Sequence, residues 1–328
     1  MPLSCFFTLS FIFLFIHALP FIAQGVVPPS QSFNYVNEGE FGDYVVEYNA
    51  NYRVLRVSNS PFQLCFYNTT PGAYTLALRM GTVRSESRMR WVWEANRGNP
   101  VGESATFSLG TNGNLVLADA DGRVVWQSNT VDKGVVGFKL LPNGNMVLYD
   151  SKGNFVWQSF DFPTDTVLVG QSLRLKGPNK LVSRLSQMEN KNGRPETDGA
   201  FAYELMLENP DRGNRILPRP KYNSTLTYLR LGIDGGLRAY TFYDKVDYGA
   251  WEETFTLFPR DSGEECGLPG RCGEFGLCED SQCVACPSPN GLLGWSKRCS
   301  PPKMKYMECK LEVIEDWQWV PIEKMIQI

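Results

Sequence analysis

Histidine is almost absent from this sequence, and the one present, His17, lies in an apolar segment near the N-terminus. Ser-His-Asp triads, Cys-His pairs and histidine-ligated zinc sites all need an imidazole. These classes are excluded if the N-terminal segment is removed on export. No other residue pattern indicates a metal site or a cofactor. We therefore predict a protein that is not an enzyme, with no metal and no cofactor.

Charge is also scarce. Charged residues make up 20% of the 328 residues and the net charge is -3, without a long run of either sign. Nucleic-acid-binding domains carry a basic surface, so no nucleic acid is expected as a partner. Aromatic residues, by contrast, reach 13%, beside 30 glycines and 21 prolines. This composition is typical of turn-rich β modules, and the length allows two or three of them.

The N-terminal segment decides the compartment. Residues 5–22 contain no acidic or basic side chain other than His17, and Ala23-Gln24-Gly25 places small residues where a signal peptidase reads. We expect residues 1–25 to be a signal peptide and the mature chain to be secreted to the extracellular space or cell wall. An uncleaved membrane anchor is the alternative, because the apolar run is nearly long enough to span a bilayer.

Cysteine is concentrated near the C-terminus. Such density in an exported chain predicts disulfides, although the sequence leaves their connectivity open. The Cys283-Val284-Ala285-Cys286 spacing could hold zinc, but it lacks a matching second pair. Two further cysteines, Cys65 and Cys309, could pair with each other or with partners elsewhere. The six clustered cysteines are Cys266, Cys272, Cys278, Cys283, Cys286 and Cys299.

Two tripeptides match the acceptor pattern for N-glycosylation. They begin at Asn68 and Asn223, and both are expected in surface turns of a secreted protein. The sequence therefore predicts a glycoprotein.

An internal repeat organises the first half of the chain. The run NGNLVLADADGRVVWQS begins at Asn112, and NGNMVLYDSKGNFVWQS begins at Asn143. A diverged third copy ends in Val92-Trp93-Glu94-Ala95-Asn96. Each copy predicts a hairpin, which cannot bury enough apolar surface alone. Three copies around a pseudo-threefold axis could bury one tryptophan each, and the candidates are Trp93, Trp126 and Trp157.

Within each unit the pattern indicates short strands. Leu115 to Leu117 forms an apolar run, Asp121-Gly122 is a turn pair, and Val124 to Trp126 is the return strand. Lys152-Gly153 takes the turn in the next unit. Further strands are predicted at Tyr203 to Leu207, Leu226 to Leu231 and Leu237 to Tyr243. The fold class is therefore all-β.

These residues resemble a known family. The repeat, the V-W-x-A-N-R run from Val92 and the WQSFDFPTDT run from Trp157 are similar to bulb-type, mannose-binding lectin domains. More specifically, they resemble the form found in plant S-locus glycoproteins and epidermis-specific secreted glycoproteins. The resemblance implies a β-prism II lectin domain with pseudo-threefold symmetry, a second diverged lectin-like β domain and a small EGF-like module.

The resemblance also implies the domain boundaries and a cysteine pairing. The expected segments are 1–25 signal peptide, 35–160 lectin domain, 161–260 second lectin-like domain, 261–300 EGF-like module, and 301–328, a short tail where the family continues into a PAN/apple module. The pairing usual for the EGF-like module would join Cys266 to Cys278, Cys272 to Cys283 and Cys286 to Cys299.

Sugar sites in this family lie on a strand reading Q-x-D-x-N-x-V-x-Y. Alternate residues of a strand share one face, so these side chains line up beside the sugar hydroxyls. The copy beginning at Gly110 has lost its glutamine, carboxylate and tyrosine, whereas the copy beginning at Leu141 keeps the later asparagine, the valine and the tyrosine. The copy around Phe66 to Leu78 keeps no position that can be aligned. The candidate binding residues are Asn143, Asn145, Val147 and Tyr149, followed by Asn112, Asn114 and Val116.

Three functions are compatible with these observations. The first is a secreted non-catalytic glycoprotein that binds mannose-type glycans weakly or a cell-wall or extracellular partner. The second is a soluble receptor-like ectodomain with inactive sugar sites that recognises proteins. The third, a glycoside hydrolase using Asp161 and Asp165, is disfavoured because turn and capping hydrogen bonds explain that pair. The sequence leaves the oligomeric state open.

Overall fold

The computed structural model describes residues 26–81, 89–173, 180–184, 226–233, 235–243 and 250–257, and the strand backbones at 202–204, 278–279, 282–283, 286–288 and 291–293. The chain divides into two compact units, within residues 1–271 and within residues 272–328. In the described part, no helix has the length and apolarity needed to cross a bilayer.

The three repeats form three antiparallel sheets. Their strands in chain order are β1 (Phe33–Val36), β2 (Asn51–Asn59), β3 (Phe62–Thr70), β4 (Ala73–Met80), β5 (Arg90–Glu94), β6 (Thr106–Leu109), β7 (Leu115–Ala118), β8 (Val124–Gln127), β9 (Val135–Leu140), β10 (Met146–Asp150) and β11 (Phe155–Gln158). The strand orders of the three sheets are β2-β3-β4-β5, β1-β6-β7-β8 and β11-β10-β9.

The predicted hairpins and turns are confirmed in the second and third repeats. Strand β7 pairs with β8, and β10 pairs with β11, each across a short turn. The turn glycines Gly122 and Gly153 have φ of 85° and 83°. Glycine accommodates this left-handed conformation without the steric cost that a Cβ would bring.

Three tryptophans meet at the centre of the three sheets, as the repeat predicts. The ring centroids lie 5.8 Å apart for Trp93 and Trp126, 6.4 Å for Trp93 and Trp157, and 5.8 Å for Trp126 and Trp157. All three contacts are edge-to-face, the arrangement that aromatic quadrupoles favour. One leucine of each inner strand is fully buried in the same core: Leu78, Leu117 and Leu148.

A further sheet follows the repeats in the same compact unit. Its strand order is β12-β15-β16-β17, and β13 and β14 form a separate pair. The bounds are β12 (Thr166–Leu168), β13 (Lys180–Val182), β14 (Ala202–Glu204), β15 (Thr227–Leu231), β16 (Leu237–Tyr243) and β17 (Ala250–Thr256). The strands predicted at Leu226 to Leu231 and Leu237 to Tyr243 are therefore present. The strand predicted at Tyr203 to Leu207 overlaps β14, and residues 205–207 lie outside the described residues.

The core of the repeats continues into this sheet. Leu168 and Tyr228 are buried in the same cluster as Trp93 and Trp157. The predicted domain boundary between residues 160 and 161 is thus crossed by a shared core. The assignment of this sheet to a second lectin-like domain stays a prediction.

The second unit contains two antiparallel strand pairs. They are β18 (Cys278–Glu279) with β19 (Gln282–Cys283), and β20 (Cys286–Ser288) with β21 (Gly291–Leu293). The six cysteine side chains predicted to form disulfides lie outside the described residues, as do residues 1–25, Asn223 and residues 301–328. The EGF-like module and its disulfides therefore stay predictions.

Candidate functional site: the outer faces of the three repeats

Strand register identifies the equivalent positions of the three repeats. In each repeat a buried leucine pairs with the central tryptophan: Leu78 with Trp93, Leu117 with Trp126, and Leu148 with Trp157. Side chains two residues apart share a face, so the residues that alternate with these leucines form the outer face of each repeat. The outer positions are Thr75, Ala77 and Arg79 on β4, Val116 and Ala118 on β7 with Asn114 just before it, and Val147 and Tyr149 on β10 with Asn145 just before it.

This register aligns the first repeat, which the sequence pattern could not align. Thr75 takes the place of the two asparagines Asn114 and Asn145, and Arg79 takes the place of Tyr149. No residue of the family's sugar motif is kept on β4. The V-W pair at Val92 was the one sequence signal that could have fixed this alignment.

Asn114 in the second repeat is 3% exposed and is bonded inside the hairpin. Its Nδ2 donates to Gln127 Oε1 at 2.8 Å. Its Oδ1 accepts from Ser128 Oγ at 3.1 Å and from the Thr130 backbone N–H at 3.0 Å. The amide therefore joins β7 to the residues that follow β8.

Asn145 makes the same set of bonds in the third repeat. Its Nδ2 donates to Gln158 Oε1 at 2.9 Å, and its Oδ1 accepts from Ser159 Oγ at 3.3 Å and from the Phe160 N–H at 3.2 Å. Both acceptor positions of the carbonyl are used, so only one amide N–H remains for a ligand. In both repeats this predicted site residue stabilises the hairpin.

Asn112 and Asn143 lie two residues before Asn114 and Asn145, in the turns that lead into β7 and β10. Their Oδ1 atoms accept the backbone N–H groups of Asn114 at 3.1 Å and Asn145 at 3.2 Å. Such Asx turns fix the chain entering the strand. Within the described residues neither Nδ2 has a hydrogen-bond partner, and both side chains are at least partly exposed. These two amides keep their donors for a ligand.

The tyrosine of the third repeat is held in place from two sides. A Cβ at Gly137 would lie 2.5 Å from the Tyr149 hydroxyl, so the ring lies against a position that only glycine leaves open. The Lys139 ammonium sits 4.5 Å from the centroid of the same ring, within cation–π range. Val147 beside it is 1% exposed, whereas Val116 of the second repeat is partly exposed.

The outer face of the first repeat is buried. It forms a second core in which Tyr67 stacks on Trp91 with centroids 4.2 Å apart. Ala77 in the middle of β4 is fully buried. A face that carries sugar-binding side chains in the family is therefore closed to any ligand here.

A buried ionic cluster lies over this face, centred on Glu94. Arg97 Nε is 2.5 Å from Glu94, and Arg184 and the Tyr67 hydroxyl also contact the carboxylate. Asp165 extends the cluster at 3.1 Å from Arg97. Burial by itself would raise the pKa of Glu94, but Arg184 and Arg97 outweigh it and hold that pKa well below its usual range.

Glu94 occupies the position of Gln127 and Gln158 in the other two repeats. There the glutamine accepts a hydrogen bond from an asparagine amide. In the first repeat, Thr75 occupies the position of that asparagine. A carboxylate at this position can bind guanidinium groups, which a glutamine cannot pair ionically. One change of side chain thus accompanies the conversion of an outer face into an interior contact.

A second buried ion pair joins the later sheet to the first repeat. Arg230 on β15 contacts Glu47 at 2.5 Å, and Arg90 on β5 contacts the same carboxylate at 3.2 Å. Arg230 Nε also donates to Thr166 Oγ1 at 3.1 Å. The face of the first repeat therefore holds the β12-β15-β16-β17 sheet.

The structure corrects the expectation for Asn68, on strand β3. Asn68 does not lie in a surface turn, because it is within the strand, is 2% exposed and accepts a bond from Asn51 at 3.4 Å. Cys65, on the same strand, is a fully buried free thiol, and Cys309, its suggested partner, lies outside the described residues. Burial raises the pKa of Cys65 to about 12, against a smaller opposing effect of Arg79.

The two aspartates considered for hydrolysis have structural contacts. Asp165 is 4% exposed and paired with Arg97, and its Oδ1 accepts from Thr166 Oγ1 at 2.7 Å. Asp161 accepts from Gln158 Nε2 at 3.1 Å. These bonds explain both carboxylates without a catalytic role.

Comparison with known proteins places these features in a family. A family model described as D-mannose binding lectin matches residues 90–187. EP1-like glycoprotein 2 of Arabidopsis thaliana is 50% identical over 86% of this chain and 77% of its own length. The epidermis-specific secreted glycoprotein EP1 of Daucus carota is 50% identical over 90% of this chain and 93% of its own. A solved mannose-binding lectin from Gastrodia elata is 20% identical, with a TM-score of 0.23, over 39% of this chain and 96% of the lectin.

Proposed function

Because the chain belongs to the family of EP1-like secreted glycoproteins, we propose that it is a non-catalytic binding protein. It binds mannose-type glycans weakly, on the outer face of its third repeat. The chain is secreted, so its ligands are those of the extracellular space and cell wall. The proposal uses the lectin scaffold and requires neither metal nor cofactor.

The third repeat carries this proposal because it combines an unused polar group with a fixed aromatic ring. Asn143 keeps its Nδ2 donor, and Tyr149 is held between Gly137 and Lys139. The second repeat has an equivalent donor in Asn112, but Ala118 stands where the tyrosine would be. Preorganised groups lose little conformational entropy on binding, which favours the third repeat.

The binding is expected to be weak for two reasons. An amide at Asn143 replaces the family's carboxylate, and a neutral acceptor bonds a sugar hydroxyl less strongly than a charged one. The side-chain carbonyl and one side-chain N–H of Asn145 are already hydrogen-bonded within the hairpin. Val147 is 1% exposed and adds little apolar contact, so the few remaining contacts limit the affinity.

Asn143→Asp is the sharpest test. The substitution keeps the Oδ1 acceptor that the turn needs and restores the carboxylate found in the family's motif. Mannose affinity, measured by glycan array and calorimetry on the mature chain, should rise roughly tenfold, about 1.4 kcal/mol. The matched control is Asn112→Asp, which restores the same group beside Ala118 and should change little. If Asn143→Asp binds no better than the native chain, the third repeat is not the site.

Protein recognition is the second candidate. The buried face of the first repeat and the internally bonded amides of Asn114 and Asn145 both favour a scaffold whose sugar sites are inactive. In that case neither the folded native chain nor the Asn143→Asp variant would bind any glycan on the array. A protein of the extracellular space or cell wall would then be the partner.

A further inference from the structure

A groove of about 340 Å³ lies beside the third repeat and uses none of the sugar-motif residues. Its walls come from three separate parts of the chain: the segment entering β1, the second half of β2, and the end of β9. No acidic side chain is found among the described residues that line it. The lining that matters here consists of Ser32, Phe33, Tyr35, Arg56, Phe138 and Lys139.

The floor of the groove is aromatic and well fixed. The Phe33 ring lies 5.0 Å from Tyr35, 5.6 Å from Phe107 and 5.7 Å from Phe138, measured between centroids. The Tyr35 hydroxyl donates to the Arg56 carbonyl at 3.3 Å, which joins β1 to β2. The groove is therefore formed before any ligand arrives.

Two cations line this floor. Arg56 and Lys139 are both exposed, and among the described residues neither has a carboxylate within ion-pair distance. Two other arginines differ: the partly buried Arg53 contacts Glu103 at 2.5 Å, and the exposed Arg123 contacts Asp119 at 2.9 Å. In a chain of net charge -3, a groove with two cations and no acid attracts an anion.

We propose that this groove binds an acidic oligosaccharide, in which carboxylates recur on sugar rings. The aromatic floor suits the apolar faces of sugar rings. The Ser32 hydroxyl donates its proton to the Pro29 carbonyl at 2.9 Å and can accept a hydrogen bond from a sugar hydroxyl. Arg56 forms a fork that matches a carboxylate. Lys139 supplies a second charge at the other wall. A small inorganic anion would leave the aromatic floor unused, and a neutral glycan would leave both cations unpaired.

The ligand class follows from the secreted, glycan-binding function proposed above, but the groove does not depend on the mannose site. Lys139 belongs to both places because it also lies over Tyr149. Arg56 belongs to the groove alone. A substitution at Arg56 should therefore change binding in the groove alone. Asn143→Asp should change binding at the mannose site alone.

The experiment is calorimetric titration of the full mature chain with oligogalacturonate and with the same oligomer after reduction of its carboxyl groups. The acidic oligomer should bind, and the reduced one should bind at least about tenfold more weakly. Added salt should lower the affinity for the acidic oligomer because exposed charges are screened. Arg56→Gln should lower the affinity about tenfold. Arg123→Gln, an exposed arginine already paired with Asp119, is the matched control and should leave it unchanged.

Several results would overturn the proposal. Equal binding of the reduced oligomer, or an Arg56→Gln variant that binds like the native chain, would remove the role of charge. Competition by polyglutamate at the same concentration would assign the groove to acidic peptides. Asn143→Asp should leave oligogalacturonate binding unchanged, so a failure of the mannose site and a failure of the groove give different results.

Discussion

Replacement of Glu94 by glutamine tests whether the first repeat has become an interior contact. Glutamine is the residue at the equivalent positions of the other repeats, Gln127 and Gln158, and it has nearly the same shape. If Glu94 had only the role of those glutamines, the variant would be as stable as the native chain. The ionic cluster predicts a large loss instead.

The magnitude follows from burial. The Glu94 side chain is 3% exposed and that of Arg184 is 6% exposed, so the lost charge leaves a guanidinium in a largely dry site. Removing one partner of a buried ion pair costs about 3–5 kcal/mol. Arg97 keeps Asp165 at 3.1 Å, which places the cost toward the lower end of this range. The melting temperature should fall by roughly 6–20 °C for a unit of this size.

The pH dependence adds an independent check. The pKa of Glu94 in the folded state is held below its ordinary value of 4.5, with Arg184 and Arg97 outweighing the burial that would raise it. A depressed carboxyl pKa contributes stability above the unfolded pKa and loses it as pH falls through the folded pKa. The native chain should therefore have its full advantage in unfolding free energy over Glu94→Gln at neutral pH. This difference should shrink below about pH 4.5.

Equilibrium urea unfolding of both proteins across this pH range measures the effect. The control is Gln127→Glu, which introduces a carboxylate at the exposed equivalent position and should change stability by less than about 1 kcal/mol. The reasoning is refuted if Glu94→Gln unfolds at the same urea concentration as the native chain at neutral pH. A difference that stays constant with pH would also contradict the assignment to this carboxylate.

Three further changes have outcomes that the structure specifies. Trp157→Ala should lower the free energy of unfolding by about 3–5 kcal/mol because the ring is 7% exposed at the centre; Phe155→Ala on the exposed neighbour should cost far less, and equal losses would contradict a central trio. Cys65 should resist iodoacetamide in the folded chain and react in urea, since burial raises its pKa to about 12; fast labelling of the native protein would show that the thiol is accessible. Peptide mass spectrometry should find Asn68 largely without glycan because it is 2% exposed, and full occupancy there would contradict the strand placement.

The sequence predicted the features that depend on neighbours in the chain. The repeat, the hairpin turns at Gly122 and Gly153 and the three central tryptophans all follow from local patterns of apolar and turn residues. Their agreement with the structure has a simple cause: each hairpin must bury one face, and the tryptophans are the largest apolar groups available at equivalent positions.

Features that depend on distant segments were not predicted. Asn145 fits the family's sugar motif, yet its amide is used by Ser159 and Phe160 once the hairpin closes. Asn68 lies in a tripeptide that suggests a turn, but pairing with strand β2 places it in a strand. A motif gives the residue type and the spacing, whereas the hydrogen bonds formed on folding decide whether a donor remains for a ligand.

The sequence by itself determined that this chain is an all-β, exported protein with a three-fold tryptophan centre, because those properties reside in composition and short-range periodicity. Only the tertiary structure decided that the outer face of the first repeat is an interior contact. Glu94, Gln127 and Gln158 stand in nearly the same local sequence, and what separates them is Arg184, which arrives from 90 residues away along the chain. Burial and charge pairing between distant segments cannot be read from a local pattern, and here they determine which outer face becomes part of the core.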